Sequence, residues 1–414
     1  MALLTDLQSQ LRAFPCHFMW ELEKKSIKQF GSLMKLIDEH ISDSPAMVIE
    51  GLLFKSYLFF SEFRGNAEKK KARAMECIDE VRRKIREEDP SKQPSNNGYL
   101  LIAITLEAWF DRRDKKRLES NIRELRKLNS LYEDGSPEHN MFKGSIHATK
   151  GFALSRVGMN RYSESIKEFE TALELCPGEK DWLFSVGLVR WRLAKAAVKN
   201  RHEFCPDMTT VLSIFYDVLK MDSEHSLALV YIAEIRRRKK NIHKAKQFLK
   251  NALRKHPVRQ KVLGEAIGVY RKMACFDEAI RVINIAEQLE EPSSFIYHQA
   301  YLVYRDISAP RHRDQYSPPN IDYLQKAIDT NPSNLAAKFD RAKELIYARK
   351  YDEATEYYNQ LFENFEDDPE SVIRINSQFA LFLQKQKKQN EAIDKHQMVI
   401  DVALEEFLED RGPP

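Results

Sequence analysis

Glycine is scarce in this chain, 13 among 414 residues. So little freedom for tight turns argues against a hairpin-rich sheet protein, and abundant Glu, Lys, Leu and Ala favour helix. No segment alternates apolar and polar residues long enough to suggest a strand. The five cysteines (Cys16, Cys77, Cys176, Cys205, Cys275) are odd in number and scattered without a C-x-x-C pair. That pattern excludes a disulfide framework or zinc cluster and fits a reducing compartment. "HEFC" (His202 to Cys205) has a metal-like spacing but no second pair, so no metal is expected. No apolar run reaches membrane-spanning length, and "MALLTDLQSQLRAF" lacks the basic-then-apolar order of a secretory signal. A cytoplasmic protein without a membrane partner is expected. Nucleophile elbow, P-loop and H-E-x-x-H are all missing, so neither catalysis nor a cofactor is expected. Charge of one sign is also lacking, since the net value of +4 is too small to imply a polyanionic partner by itself.

What is present is a repeat. With 43% hydrophobic and 31% charged residues the chain can fold, and its length favours several domains or an elongated array over a single core. Self-similarity recurs at about 34 residues, the period of tetratricopeptide helix pairs. One unit closes at Pro177, with Ala172 at the small crossing position and Phe169 and Tyr162 at the aromatic ones. The next closes at Pro257 behind Ala252, Ala245, Ala233 and Ile232, and a third carries Tyr270, Phe276, Ala279 and Ala286 before Pro292. "RKYDEATEYYNQL" and "KKQNEAIDKHQMVI" repeat the second-helix pattern further on. The expected fold is all-α, a tetratricopeptide-repeat superhelix of antiparallel helix pairs with a basic central groove. Three regions are expected: a degenerate N-terminal helical segment (1–140), central repeats forming the groove (141–304), and C-terminal repeats (305–414) with a polar insertion at 308–320. "EEDPSKQPSNNG" (Glu87 to Gly98) and "YEDGSPEHN" (Tyr132 to Asn140) read as turn-rich breaks.

In such arrays the first helix of each pair faces the concave side, which selects its inward residues by helical spacing. These are Asp181, Phe184, Leu188, Trp191 and Arg192 in one unit, and Leu227, Val230, Glu234, Arg237 and Arg238 in the next. Lys261, Gly264, Gly268, Arg271 and Lys272 follow, then Phe295, His298 and Gln299. In "HATKGFALSRVGMNRYSESIKEFETALELCP" the spacing from Gly151 to Tyr162 is two residues too long. Placing the excess in the turn "VGMN" puts Gly151 at the crossing and turns Phe152 and Arg156 into the groove, four apart on one face. Without that lengthening Phe152 is ordinary core. Tyr162 serves packing at its aromatic position or reaches the groove through its hydroxyl, and His298 either faces a ligand or satisfies backbone groups. Residues 235–272 hold fourteen Lys or Arg against one acidic residue, Glu265. Such a surface concentrates polyanions, and guanidinium groups fit phosphate bidentately. Aromatic rings beside them stack on unpaired bases, so single-stranded RNA is the economical ligand. "RRRKK" (Arg236 to Lys240) also reads as solvated cations at a helix C-terminus.

"CHFMWELE" (Cys16 to Glu23), the "GFALSRVGMNRYSESIKEFETALELCP" unit and "YRKMACFDEAIRVINIAEQLEEPSSFIYHQAYLVY" resemble the interferon-induced proteins with tetratricopeptide repeats. The resemblance covers nearly the whole chain and is densest from Gly151 to Tyr304. It implies a cytosolic antiviral effector that captures the 5′ end of foreign RNA, triphosphate or cap, and sequesters it from translation without a covalent step. It also implies phosphate contacts from Arg156, Arg192 and Arg271, stacking by Phe152, and base or ribose contacts from Tyr162, His298 and Gln299. Other family members, or the chain itself as an oligomer, are further expected partners. The chain departs from the RNA-binding members at Gly264 and Gly268, where they carry Arg and Lys, and at Leu227, where they carry tyrosine. Their N-terminal phosphate-gripping arginine and glutamine have no match in "IKQFGSLMKLIDEH" (Ile27 to His40). The competing expectation is a protein-interaction scaffold without RNA binding, whose groove takes a helix or extended peptide.

Overall fold

The computed structural model describes residues 2–22, 33–34, 37–38, 41, 47–61, 66–198, 205–254, 259–308, 321–366 and 368–411. "HEFC" before Cys205, most of "IKQFGSLMKLIDEH" and the insertion at 309–320 lie outside them. Among the described residues there are nineteen α-helices and no strand. The chain forms two compact units, Met1–Val262 and Leu263–Pro414.

The first unit holds α1 (Ala2–Leu11), α2 (Val48–Ser61), α3 (Ala67–Glu87), α4 (Gln93–Phe110), α5 (Lys115–Asn129), α6 (Pro137–Val157) and α7 (Tyr162–Leu175). It continues with α8 (Lys180–Ala197), α9 (Asp207–Met221), α10 (Ser226–Arg238) and α11 (Ile242–Ala252). After α12 (Gln260–Lys272), the second unit adds α13 (Phe276–Ala286), α14 (Ser294–Ser308), α15 (Ile321–Thr330) and α16 (Leu335–Tyr347). It ends with α17 (Tyr351–Phe365), α18 (Pro369–Lys385) and α19 (Gln389–Arg411). From α2 onward the helices succeed one another as pairs.

Small residues let the helices cross closely. Ala172, Ala245, Ala252, Ala279, Ala286, Ala327 and Ala354 are completely buried. A methyl group on Gly151 would sit 3.0 Å from the Phe169 ring, and Ser165 on α7 donates to the Gly151 carbonyl at 2.7 Å. The extra length of this pair is in its turn. Gly158 ends α6 at φ +154°, ψ 169°, a region essentially reserved for glycine, and a 3-10 turn (Met159–Arg161) leads into α7.

The shortage of glycine shows in the other turns. Lys240, Ala274, Arg349 and Lys387 each hold a left-handed backbone, φ 54–61°, directly after the first helix of a pair. In each case the next amide bonds back five residues: Asn241 to Arg236, Cys275 to Tyr270, Lys350 to Leu345 and Lys388 to Leu383. This is the Schellman closure, built four times on residues that carry a Cβ. Left-handed backbone costs such a residue about 1–2 kcal/mol, so packing between helices must outweigh local preference.

Two stretches read differently in three dimensions. In "EEDPSKQPSNNG" only the beginning is a turn: α4 starts at Gln93, and Ser95, Asn96, Asn97 and Gly98 are buried inside it. Small and polar residues serve close approach here, because a Cβ on Gly98 would lie 2.1 Å from Ser145 Oγ and 2.5 Å from the Phe142 carbonyl. "CHFMW" is a core plug. His17 stacks on Phe54 and Tyr57 with ring centroids 5.6 Å away in both cases. Burial pushes the His17 imidazole down to about 3 and the Cys16 thiol up to about 12, so both stay neutral.

Candidate nucleic-acid interface

The first unit contains a recess between α6, α8 and the start of α10. Helix α8 supplies Asp181, Phe184, Leu188 and Arg192, four positions on one helical face. Trp191, next to Arg192, is instead buried, with the Arg238 guanidinium 5.1 Å from its ring centroid. Helix α6 supplies Phe152 and Arg156, four residues apart, with the Arg156 guanidinium 4.6 Å from the Phe152 centroid. Phe152 is 1% exposed, so the same ring is both core and the recess wall.

The electrostatics favour an anion. Desolvation, with the neighbouring Arg192 second, pushes Arg156 down to about 9. Its guanidinium remains charged at neutral pH in surroundings where that charge is unfavourable. Arg192 donates to the Ser155 carbonyl at 3.3 Å and lies 6.0 Å from the Tyr162 centroid. Arg259 adds an exposed cation to the rim. The carboxylate present is Asp181, 3.7 Å from His225 Nε2. His225 Nδ1 accepts the Ala228 amide at the start of α10. A neutral His225 therefore carries its proton on Nε2, facing Asp181.

Phe152, Arg156 and Arg192 thus meet in one recess, and Tyr162 joins through Arg192. Met47, Ser185, His225 and Arg259 belong to the same lining and do not follow from the repeat register. His225 and Arg259 lie just outside helices, and Met47 lies immediately before α2. Arg237 and Arg238 sit on the inward helix but are turned onto Glu234. Arg237 donates to it at 2.8 and 2.9 Å and Arg238 at 3.0 Å, and all three side chains are buried. Arg236 leaves this group and donates to the Tyr216 hydroxyl at 2.8 Å, while Lys239 and Lys240 are exposed. Lys261 is partly buried.

Within the second unit, Arg271 is paired with Asp306 at 2.6 Å and Lys272 is exposed. His298 bonds Asp340 at 2.8 Å and stacks on Tyr301. The two glycines of α12 give room to α14: a Cβ on Gly264 would lie 2.5 Å from the Phe295 ring, and one on Gly268 2.9 Å from Gln299 Oε1. An aromatic ring and an amide occupy the space that longer side chains would need.

The repeated helix pairs define an all-α protein of the tetratricopeptide type. No protein-family profile matches the chain. In sequence it is similar to the human antiviral innate immune response effector IFIT1, 20% identical over 402 residues that span 92% of this chain and 80% of the relative. In structure it is similar to the human IFIT1 dimer with m7Gppp-AAAA, with a TM-score of 0.66 and 18% identity over 95% of this chain and 86% of that one. The human IFIT1 dimer with PPP-AAAA gives a TM-score of 0.65 and 19% identity over 96% and 86%. The resemblance read from the short motifs is therefore matched along most of the chain, and the tetratricopeptide fold class with it. No described helix is long and apolar enough to cross a membrane.

Proposed function

We propose that this chain is an RNA-binding member of the interferon-induced tetratricopeptide-repeat proteins. It acts in the cytosol, capturing the 5′ end of foreign single-stranded RNA and withholding it from translation without covalent chemistry. The observation that carries this reading is the pair Arg156 and Arg192 over aromatic rings in a half-enclosed recess. A desolvated guanidinium gains most from a phosphate, and the partly buried Tyr162 offers ring surface beside it. The structurally similar IFIT1 chains hold capped and triphosphate-bearing tetra-adenylates, the ligand class that such a recess suits. The proposed contacts are Phe152, Arg156, Tyr162 and Arg192; of the other expected contacts, Arg237 and Arg238 are engaged by Glu234, Arg271 by Asp306 and His298 by Asp340, and Lys261, Lys272 and Gln299 are not part of the recess. They fall in the proposed central repeats, 141–304, between the N-terminal segment 1–140 and the C-terminal repeats 305–414.

A gel shift with one short RNA carrying a triphosphate, monophosphate, hydroxyl or capped 5′ end tests the reading. The triphosphate or capped form should bind tightest, with steep salt dependence. Arg192→Ala should weaken that form by about tenfold, the worth of one charge-assisted contact, without changing the melting temperature. Equal binding of all four ends, or affinity indifferent to salt, overturns the proposal.

A further inference from the structure

A second, open cavity lies beside the first and shares Asp181 with it. Its chemistry is opposite. Glu50, Glu88, Glu179 and Asp181 line it, against one cation, Lys92. Lys92 lies 3.6 Å from Glu88 at an exposed edge. Tyr99 and Trp182 add aromatic wall.

Asn96 also lines this cavity and is only 3% exposed, yet its amide makes no hydrogen bond to any described residue. An amide that lines the cavity and is not engaged by another side chain offers both a donor and an acceptor to a ligand there. Its neighbours differ: Asn97 donates to the Tyr132 hydroxyl at 2.7 Å, and Ser95 is turned toward the Met141 carbonyl.

We propose that this acidic cavity binds a small alkylammonium ligand. The ammonium group would lie between Glu50, Glu179 and Asp181 and donate to the Asn96 side-chain oxygen, with its methylene chain along Tyr99 and Trp182. The aromatic wall of Tyr99 and Trp182 beside the carboxylates favours an organic cation over a bare metal ion.

The carboxylates show the strain that such a ligand relieves. Glu50 accepts from the Tyr99 hydroxyl at 2.8 Å and is pushed up to about 7, by burial first and then by the nearby Asp181 and Glu179. Glu179 is raised too, mainly by burial. A bound cation favours the ionised form of both, so binding strengthens as pH rises through 7. The groups that face Glu50 are Tyr99 from α4, Asp181 from the first turn of α8 and Glu179 just before it, with Lys92 and Glu88 from the turn before α4.

Isothermal titration of the full chain with 1,4-diaminobutane, without RNA, tests this, so the outcome does not depend on the RNA reading. One saturable site is expected, several times tighter at about pH 8 than at about pH 6. Glu179→Gln, which keeps the side-chain shape, should weaken it by about fivefold to tenfold, and Asn96→Leu should do the same. If Asn96→Leu fails to fold, Glu179→Gln decides alone. Binding of 1,4-butanediol equal to that of the diamine, competition by magnesium chloride at equal concentration, or no effect of Glu179→Gln overturns the proposal. So does the absence of a saturable site.

Discussion

In the first unit, Arg156 and Arg192 share a recess with aromatic rings and the carboxylate of Asp181. In the second, Arg271 lies on Asp306 at 2.6 Å, Arg305 on Asp306 at 3.0 Å and His298 on Asp340 at 2.8 Å. Both units use the same helix pairs and both place cations on the first helix of a pair. What differs is whether a neighbouring carboxylate reaches those cations. Helix α10 shows the paired arrangement within a single element, since Glu234 holds both Arg237 and Arg238. The number of basic residues is therefore a poor guide to a polyanion site; the acidic residues facing them decide.

Removing the acids tests that comparison, and the largest effect is expected at Glu234. Glu234→Gln removes a buried carboxylate that two buried guanidinium groups share, which should cost about 3–5 kcal/mol. Urea unfolding would read this as a lower midpoint, and an unchanged midpoint would show that other groups hold the two arginines. Asp340 comes next. Burial alone would raise its carboxyl, but hydrogen bonds from His298 and Lys343 outweigh burial and hold it at about 2. Because the folded value lies below the unfolded one, this stabilisation is present above about pH 4 and is lost as pH falls toward 2. Asp340→Asn should remove about 2 kcal/mol at pH 7 and flatten the acid limb of a plot of melting temperature against pH. The smallest effect is expected where charge plays no part. Ala274→Gly relieves the left-handed backbone and should stabilise the chain by about 1 kcal/mol, a rise of a few degrees in melting temperature that would sharpen the contrast with the charge variants.

Much of the fold was legible because it depends on periodicity. The buried alanines fall where the repeat requires small residues, and the lengthened turn after Val157 follows from the position of Gly151. The start of α4 was not legible, because Pro94, Asn96, Asn97 and Gly98 are turn formers by composition. Only the nearness of Ser145 and Phe142, far along the chain, explains why they form a helix. The recess was legible in part. Register picks out the face of α8 that carries Asp181, Phe184, Leu188 and Arg192, but it is blind to His225 and Arg259, which belong to connections between helices. Register also says which way Arg237 and Arg238 leave the helix and nothing about what meets them. Glu234, three and four residues earlier, was the available signal, because such spacings place opposite charges side by side.

The four glycine-free turns bear on how the chain could be divided. Each is locally unfavourable, so a single excised pair would keep that penalty while losing the neighbours that outweigh it. Cohesion belongs to the stack, and shortening the array should weaken the pairs that remain as well as deleting those removed.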